Sequence, residues 1–291
     1  MAAAEFSLGE NQRELYDQWA PILAKGARSK EGLLVGDSKK VFSQAAGLGR
    51  LERHVLAATA LVLGDVPATF GAWLEAILID KSILDDLTHA PWYKGFYDMP
   101  LPMAAVREDI ESLHKTLSHS IKELPVKLSK ISLNLLTEPK LNQHIDKYEN
   151  KARACREALD PLFIKHGDGN RLTVDRQGGR CFYYDWLIEV YPQKPLMIRK
   201  EEKDLSVYAM GNDGESIQFP VKADATYLEV ALASMVAKYT RECLMHCFND
   251  YWQKKIPDLR RTAGYPQDAK RFLKNLKDAG LDVPEAMVRK R

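Results

Sequence analysis

The apolar residues of this chain change period near residue 129, and that switch limits what it can fold into. Up to about residue 121 the spacing is helical. Leu48, Leu51, Val55 and Leu56 form one stripe, and Val106, Ile110, Leu113, Leu117 and Ile121 form another. Residues 69–88 hold a third helical pattern, ended by Ala90-Pro91 and Tyr93-Lys94-Gly95; Pro100 and Pro102 mark a loop. The first 30 residues also read as helix, with Leu15, Trp19, Ile22 and Leu23 on one side and a kink at Pro21. From residue 129 the pattern alternates. Ile131, Leu133 and Leu135 predict a strand at 129–137, ended by Glu138-Pro139. A helix is expected over 141–163, then a strand over 171–175 stopped by Gly178-Gly179. Three further strands are expected at 182–191, 205–210 and 217–222, then a strong helix at 227–250 and a last one at 268–279 closed by Gly280. Strands alternating with helices argue for an α/β sheet domain.

Composition narrows the class. With 291 residues and 45% hydrophobic content there is ample material for a core. The formal charge is +2, so any contact with nucleic acid must come from a local patch. Cys155, Cys181, Cys243 and Cys247 form no disulfide framework, which suits a reduced, cytoplasmic or nuclear protein. Cys243, His246 and Cys247 lie close together but have no second ligand pair nearby, and they fit ordinary positions on one helix. No apolar run approaches the ~20 residues that span a bilayer, and the opening residues lack the form of a signal peptide.

Two aspartates occupy places where chemistry is expected. Asp175 ends a strand, and Asp224 follows the run 217–222 just before a helix whose start is signalled by Thr226 and Glu229 in the manner of a capping box. Open α/β sheets place their sites at the carboxyl ends of neighbouring strands. Mg²⁺ takes one or two carboxylates together with phosphate and water. Each aspartate also reads as a turn residue or a helix-start charge. On the following helix, Ser234, Lys238 and Arg241 share a polar stripe at i, i+4 and i+7. That stripe reads either as a solvated face or as a brace that neutralises acid or phosphate.

The run Ala233-Ser234-Met235-Val236-Ala237-Lys238-Tyr239-Thr240-Arg241-Glu242, placed after Asp224, resembles the A-S-x-x-A-K-x-T-R-[DE] helix of the type 2 ribonuclease H family. Ala263-Gly264-Tyr265-Pro266 resembles that family's K-G-Y-P-T loop, with alanine in place of lysine and Gln267 in place of threonine. Gly36-Asp37-Ser38-Lys39-Lys40-Val41 resembles its D-S-K-K-L segment. The resemblance covers about residues 30–280. It implies one ribonuclease H-like domain over 1–291, a mixed sheet flanked by helices, with a helical insertion at 64–125 and a hairpin insertion at 192–216. By the same resemblance Asp175 and Asp224 are metal-binding catalytic acids for Mg²⁺ or Mn²⁺, and Tyr265 packs on the sugar at an RNA–DNA junction. Ser38 and Lys39 meet DNA-strand phosphates, while Ser234, Lys238 and Arg241 play supporting parts. The implied reaction is two-metal-ion hydrolysis of RNA in RNA–DNA hybrids, or at ribonucleotides embedded in duplex DNA, by a monomer without a membrane partner.

The sequence departs from that family at its opening. The family's Asp-Glu-Ala-Gly strand, which supplies two further acids, has no counterpart, because the chain contains no Asp-Glu dipeptide. The family's first two strands are therefore expected to lie before Met1. The chain reads either as an amino-terminal truncation or as a non-catalytic relative that binds nucleic acid or another partner. Both readings predict weak metal binding and a chain that is poorly stable or inactive. Mg²⁺-dependent cleavage of a DNA duplex with one embedded ribonucleotide, by this chain alone, is the measurement that would contradict the expectation.

Overall fold

The computed structural model describes residues 1–7, 14–26, 29, 31–42, 47–211 and 214–290. The chain opens with strand β1 (Ala2–Ser7), followed by a short helix α1 (Leu15–Trp19) that runs into a 3-10 turn at Ala20–Ile22. This corrects the expectation of helix over the first 30 residues at β1, while Leu15 to Ile22 is helical as expected and residues 8–13, 27, 28 and 30 lie outside the described residues. Ala2, Ala3 and Ala4 are good helix formers, yet tertiary pairing overrides that weak preference. β1 pairs antiparallel with β2 (Lys127–Leu133), Ala2 opposite Leu133 and Glu5 opposite Lys130. Phe6 of β1 meets Trp19 edge-on at 5.0 Å.

Between these strands lie α2 (Ser38–Val41), α3 (Gly47–Leu63), α4 (Phe70–Ile77), α5 (Ile83–His89) and α6 (Arg107–Ser120). Their apolar faces bury Leu51, Val55, Phe70, Trp73, Leu74, Ile110 and Leu113 in the main core. The stretch 64–125 is helical, as its period predicts, and it is a full partner in that core. The helix expected over 141–163 is broken into α7 (Glu138–Tyr148), α8 (Lys151–Glu157) and α9 (Asp160–His166). Glu149 in the left-handed region and Pro161 in the first turn of α9 supply the breaks.

A second sheet follows. β3 (Arg171–Thr173) is succeeded by helix α10 (Tyr184–Val190), hairpin β4 (Leu196–Glu201) and β5 (Leu205–Met210), and then β6 (Ser216–Pro220). The strand order is β3-β6-β5-β4, with β3 parallel to β6 and the other pairs antiparallel. α10 corrects the strand expected at 182–191. Tyr183, Trp186 and Leu187 recur at helical spacing there and are buried together. Tyr183 stacks on Phe219 at 3.8 Å in this second core. The hairpin at 192–216 is present, and β5 continues the sheet onto β6.

A short turn of helix, α11 (Ala223–Thr226), leads into α12 (Leu228–Lys255), and α13 (Pro266–Asp278) closes the fold. The capping box read from Thr226 and Glu229 is not made. Thr226 ends α11, and Tyr227 stands at the N-cap of α12 without a side-chain cap bond. α12 packs against both β1 and α3. Glu52 of α3, fully buried, locks this layer together. Its carboxylate accepts the backbone N–H groups of Met103, Ala104 and Ala105 at 2.7–2.8 Å, and the Tyr239 hydroxyl of α12 at 2.7 Å. Glu52→Gln turns an amide NH₂ toward donors that need an acceptor. A buried donor left unmatched costs about 1–3 kcal/mol. We expect a loss of about 2 kcal/mol or more, read as a lower urea midpoint with an unchanged slope.

Candidate functional site

The site is assembled where the second sheet meets the amino-terminal end of α12. β3 delivers Asp175, because Val174 and Arg176 donate their N–H groups to Gln218 and Pro220 and so carry the ladder past Thr173. β6 delivers Asp224 through a sharp turn at Lys222, whose φ of 56° lies in the left-handed region. That conformation costs a lysine on the order of 1 kcal/mol. It turns the chain so that the Ala223 N–H donates to Asp175 Oδ1 at 3.0 Å. The two aspartates, 49 positions apart in sequence, thus become neighbours. α2 adds a third acid, Asp37, which caps its own helix by accepting the Lys39 N–H at 2.9 Å.

The electrostatics record this convergence. The carboxyl of Asp224 is pushed above the usual range by desolvation first, then by the negative charges of Asp175 and Asp37, with Lys39 pulling the other way. Asp37 is an acid that the sequence reading quoted within its motif but did not assign to the site. Its signal was its place in Asp37-Ser38-Lys39-Lys40. Glu229 is a second such residue. Its carboxyl is raised by burial and accepts hydrogen bonds from its own backbone N–H and the Thr173 side chain.

The polar stripe of α12 runs away from the aspartates. Ser234 donates to the hydroxyl of buried Ser38 at 3.1 Å. Lys238 lies over the Phe42 ring at 4.5 Å and pairs with Glu242 at 2.8 Å. Arg241 reaches the same carboxylate at 3.1 Å, bonds the Ala263 carbonyl, and stacks 5.1 Å from the Tyr265 ring. Ser38 and Ser234 therefore face each other across the α2–α12 contact, while Lys39 is exposed. Tyr265 is 56% exposed, so its ring is open to a partner. Its loop turns at Gly264, where φ is 72° and a Cβ would stand 3.2 Å from Arg241 Nη2.

Asp268 holds that loop in place and was not foreseen. It accepts the Thr262 hydroxyl and the Ala263 N–H, each at 2.7 Å, and pairs with Arg271 at 2.7 Å. These bonds outweigh desolvation and lower its carboxyl to about 2. Asn249 grips the other side, exchanging bonds with the Thr262 backbone at 2.7 and 2.9 Å.

Asp175 and Asp224 suit a divalent cation that takes two carboxylates and fills its other positions from water and phosphate. Among the described residues there is no group of three or more His, Cys, Asp or Glu side chains able to hold a metal. No described helix is long and apolar enough to cross a membrane.

The family model of ribonuclease HII matches residues 189–291, so that part of the chain is ribonuclease HII-like, and the mixed α/β architecture agrees with a ribonuclease H-like fold. The matched span holds Asp224, α12 and Tyr265; Asp175, Ser38 and Lys39 precede it. No curated protein and no solved structure matches the chain.

Two outcomes follow from the charges. Because the folded state raises the carboxyl of Asp224, the ionised group opposes folding above its unfolded range. Asp224→Asn should therefore raise the melting temperature at neutral pH, by roughly 1–2 °C. Mg²⁺ should stabilise the native chain but not this variant. Asp268 has the opposite sign. Its contribution is present above its unfolded value and is lost as pH falls from about 4 toward 2. The stability gap between the native chain and Asp268→Asn, measured by denaturant titration, should close over that interval.

Proposed function

We propose that this chain is a ribonuclease H-type protein that recognises RNA paired with or joined to DNA and hydrolyses the phosphodiester with Asp175 and Asp224 as its metal-binding acids. The observation carrying this reading is the convergence of those two carboxylates at the head of α12, with Lys39 beside them. Mg²⁺ or Mn²⁺ is the cofactor that suits the pair. When bound, such an ion supplies Lewis-acid stabilisation of the phosphate and a hydroxide-like water, and a two-ion arrangement clamps both sides of the displacement.

The remaining work falls to the chain itself. The Ala223 N–H fixes one oxygen of Asp175 and leaves the other for a ligand. Lys39 offsets negative charge where a phosphate approaches, as charge-assisted contacts to backbone phosphates do. Tyr265, backed by Arg241, offers a ring face to a sugar or base. Lys238 and Arg241 spend their charges on Glu242, so their role is to set the stripe and the Tyr265 loop.

A second reading is supported by the small number of close carboxylates. A chain with only two could bind hybrids without cutting them. Cleavage of a duplex with one embedded ribonucleotide separates the two readings. On the first reading any cutting depends on Mg²⁺ and falls about 10²-fold or more in Asp224→Asn or Asp175→Asn, the scale of losing one preorganised electrostatic contact. Tyr265→Ala should weaken hybrid binding by about 10-fold, in line with the loss of one stacking contact. Binding without cutting at any Mg²⁺ concentration would leave only the second reading. Neither binding nor cutting would remove both.

A further inference from the structure

A cavity of about 520 Å³ opens beside the hairpin, and none of its lining residues belongs to the aspartate site. Its walls are Arg156 at the end of α8, the segment from Arg180 into α10, and Ile198 and Glu201 of β4. That volume lies within the ~300–1,000 Å³ typical of small-ligand sites.

The segment is held by its own bonds. Gly178, with φ of 63°, turns the chain ahead of it. The Tyr183 hydroxyl donates to the Arg180 carbonyl and accepts the Gln177 N–H, each at 3.1 Å, while its ring is stacked on Phe219. Next to this anchor, Phe182 is 69% exposed, the most exposed large apolar side chain among the described residues. Its ring offers a flat face on backbone that is already fixed, so little order is lost when a partner stacks on it.

Two guanidiniums share the cavity with that ring, and neither hydrogen-bonds or pairs with a described acid. Arg156 lies 5.7 Å over the Trp186 ring, and its Nε is buried without a partner. Burial first, and then the positive charge of Arg180, lower the pKa of Arg156. The acids that attract it are engaged elsewhere. Glu189 pairs with Arg153 at 3.6 Å, and Asp160 accepts the Trp186 Nε1–H at 2.7 Å. One anion placed between the two arginines relieves both charges, and the guanidinium fork matches phosphate oxygens.

The remaining walls narrow that anion. Asp185 and Glu201 also line the space, and Glu201 accepts the Tyr208 hydroxyl through Oε1, which leaves its other oxygen open. These carboxylates repel a ligand that is anionic throughout and suit one with hydroxyl or amino donors at its far end. A ligand cation finds no free partner in Trp186, whose ring already carries Arg156.

We propose that this cavity binds a nucleoside monophosphate, with its phosphate between Arg156 and Arg180, its base on Phe182, and its hydroxyl or amino groups toward Asp185 and Glu201. A free nucleotide and the 5′-phosphorylated end of a strand present the same chemistry. The site goes beyond the nuclease reading, because it uses neither the paired aspartates nor a metal.

The test is calorimetric titration of the full chain with adenosine 5′-monophosphate in the presence of EDTA. Saturation is expected below about 1 mM. Adenosine and inorganic phosphate, each keeping part of the contacts, should bind about 10-fold or more weakly. Arg180→Gln and Phe182→Ser should each weaken binding about 10-fold, the scale of one charge-assisted or one stacking contact. Neither side chain is buried or internally bonded, so both variants should melt as the native chain does, whereas Arg156 packs on the second core and is left in place. Asp224→Asn should bind the nucleotide as the native chain does, which separates this site from the nuclease reading. Competition between the mononucleotide and a 5′-phosphorylated dinucleotide names the source, and either ranking supports the site. No saturation, equal binding of inorganic phosphate, native affinity in both cavity variants, or loss of binding in Asp224→Asn would overturn the proposal.

Discussion

The burial of α12 holds this molecule together. Leu228, Leu232, Met235, Val236, Tyr239 and Cys243 disappear into the main core, where they meet helices from the first half of the chain. Burying a large apolar side chain contributes about 1.5–3 kcal/mol, so this helix is fixed far more firmly than anything it carries. Glu52 adds direction to that packing, since three backbone donors and the Tyr239 hydroxyl converge on one carboxylate. With the helix fixed in place and rotation, its polar stripe can present residues to a common surface.

The site works against that stability. At the head of the helix the Asp224 carboxyl is pushed upward by burial first and then by the negative charges of Asp175 and Asp37. Lys222 adds backbone strain at the turn that brings Asp224 in. Strain and like charge gathered at one place mark a candidate functional site, and the surrounding core tolerates them. The Tyr265 loop shows the opposite economy. Asp268, Asn249 and Arg241 satisfy its polar groups, so an exposed ring is held by a well-bonded turn.

The division into two sheets gives the fold its second character. β1 and β2 belong to the main core, whereas β3 to β6 enclose a smaller one built on Phe163, Tyr183, Trp186 and Phe219.

Much of this was legible in the sequence. The helices at α3, α6, α12 and α13 and the strands β2, β5 and β6 follow from local period and punctuation, which also put Asp175 at a strand end and Asp224 before a helix; that the two belong to one site was implied by the family resemblance alone. Those signals act over a few residues, and the chain carries them wherever it goes. The errors were also local. The helical spacing of Leu15, Trp19, Ile22 and Leu23 was carried back over β1, and 182–191 was read as a strand where α10 stands, because local pattern yields to partners that lie far away in sequence. Only the tertiary structure could bring Ala2 to Leu133, Ser38 to Ser234, and Asp37 to Asp175 and Asp224. Contacts across such separations depend on how whole elements pack, and no short window of residues encodes them.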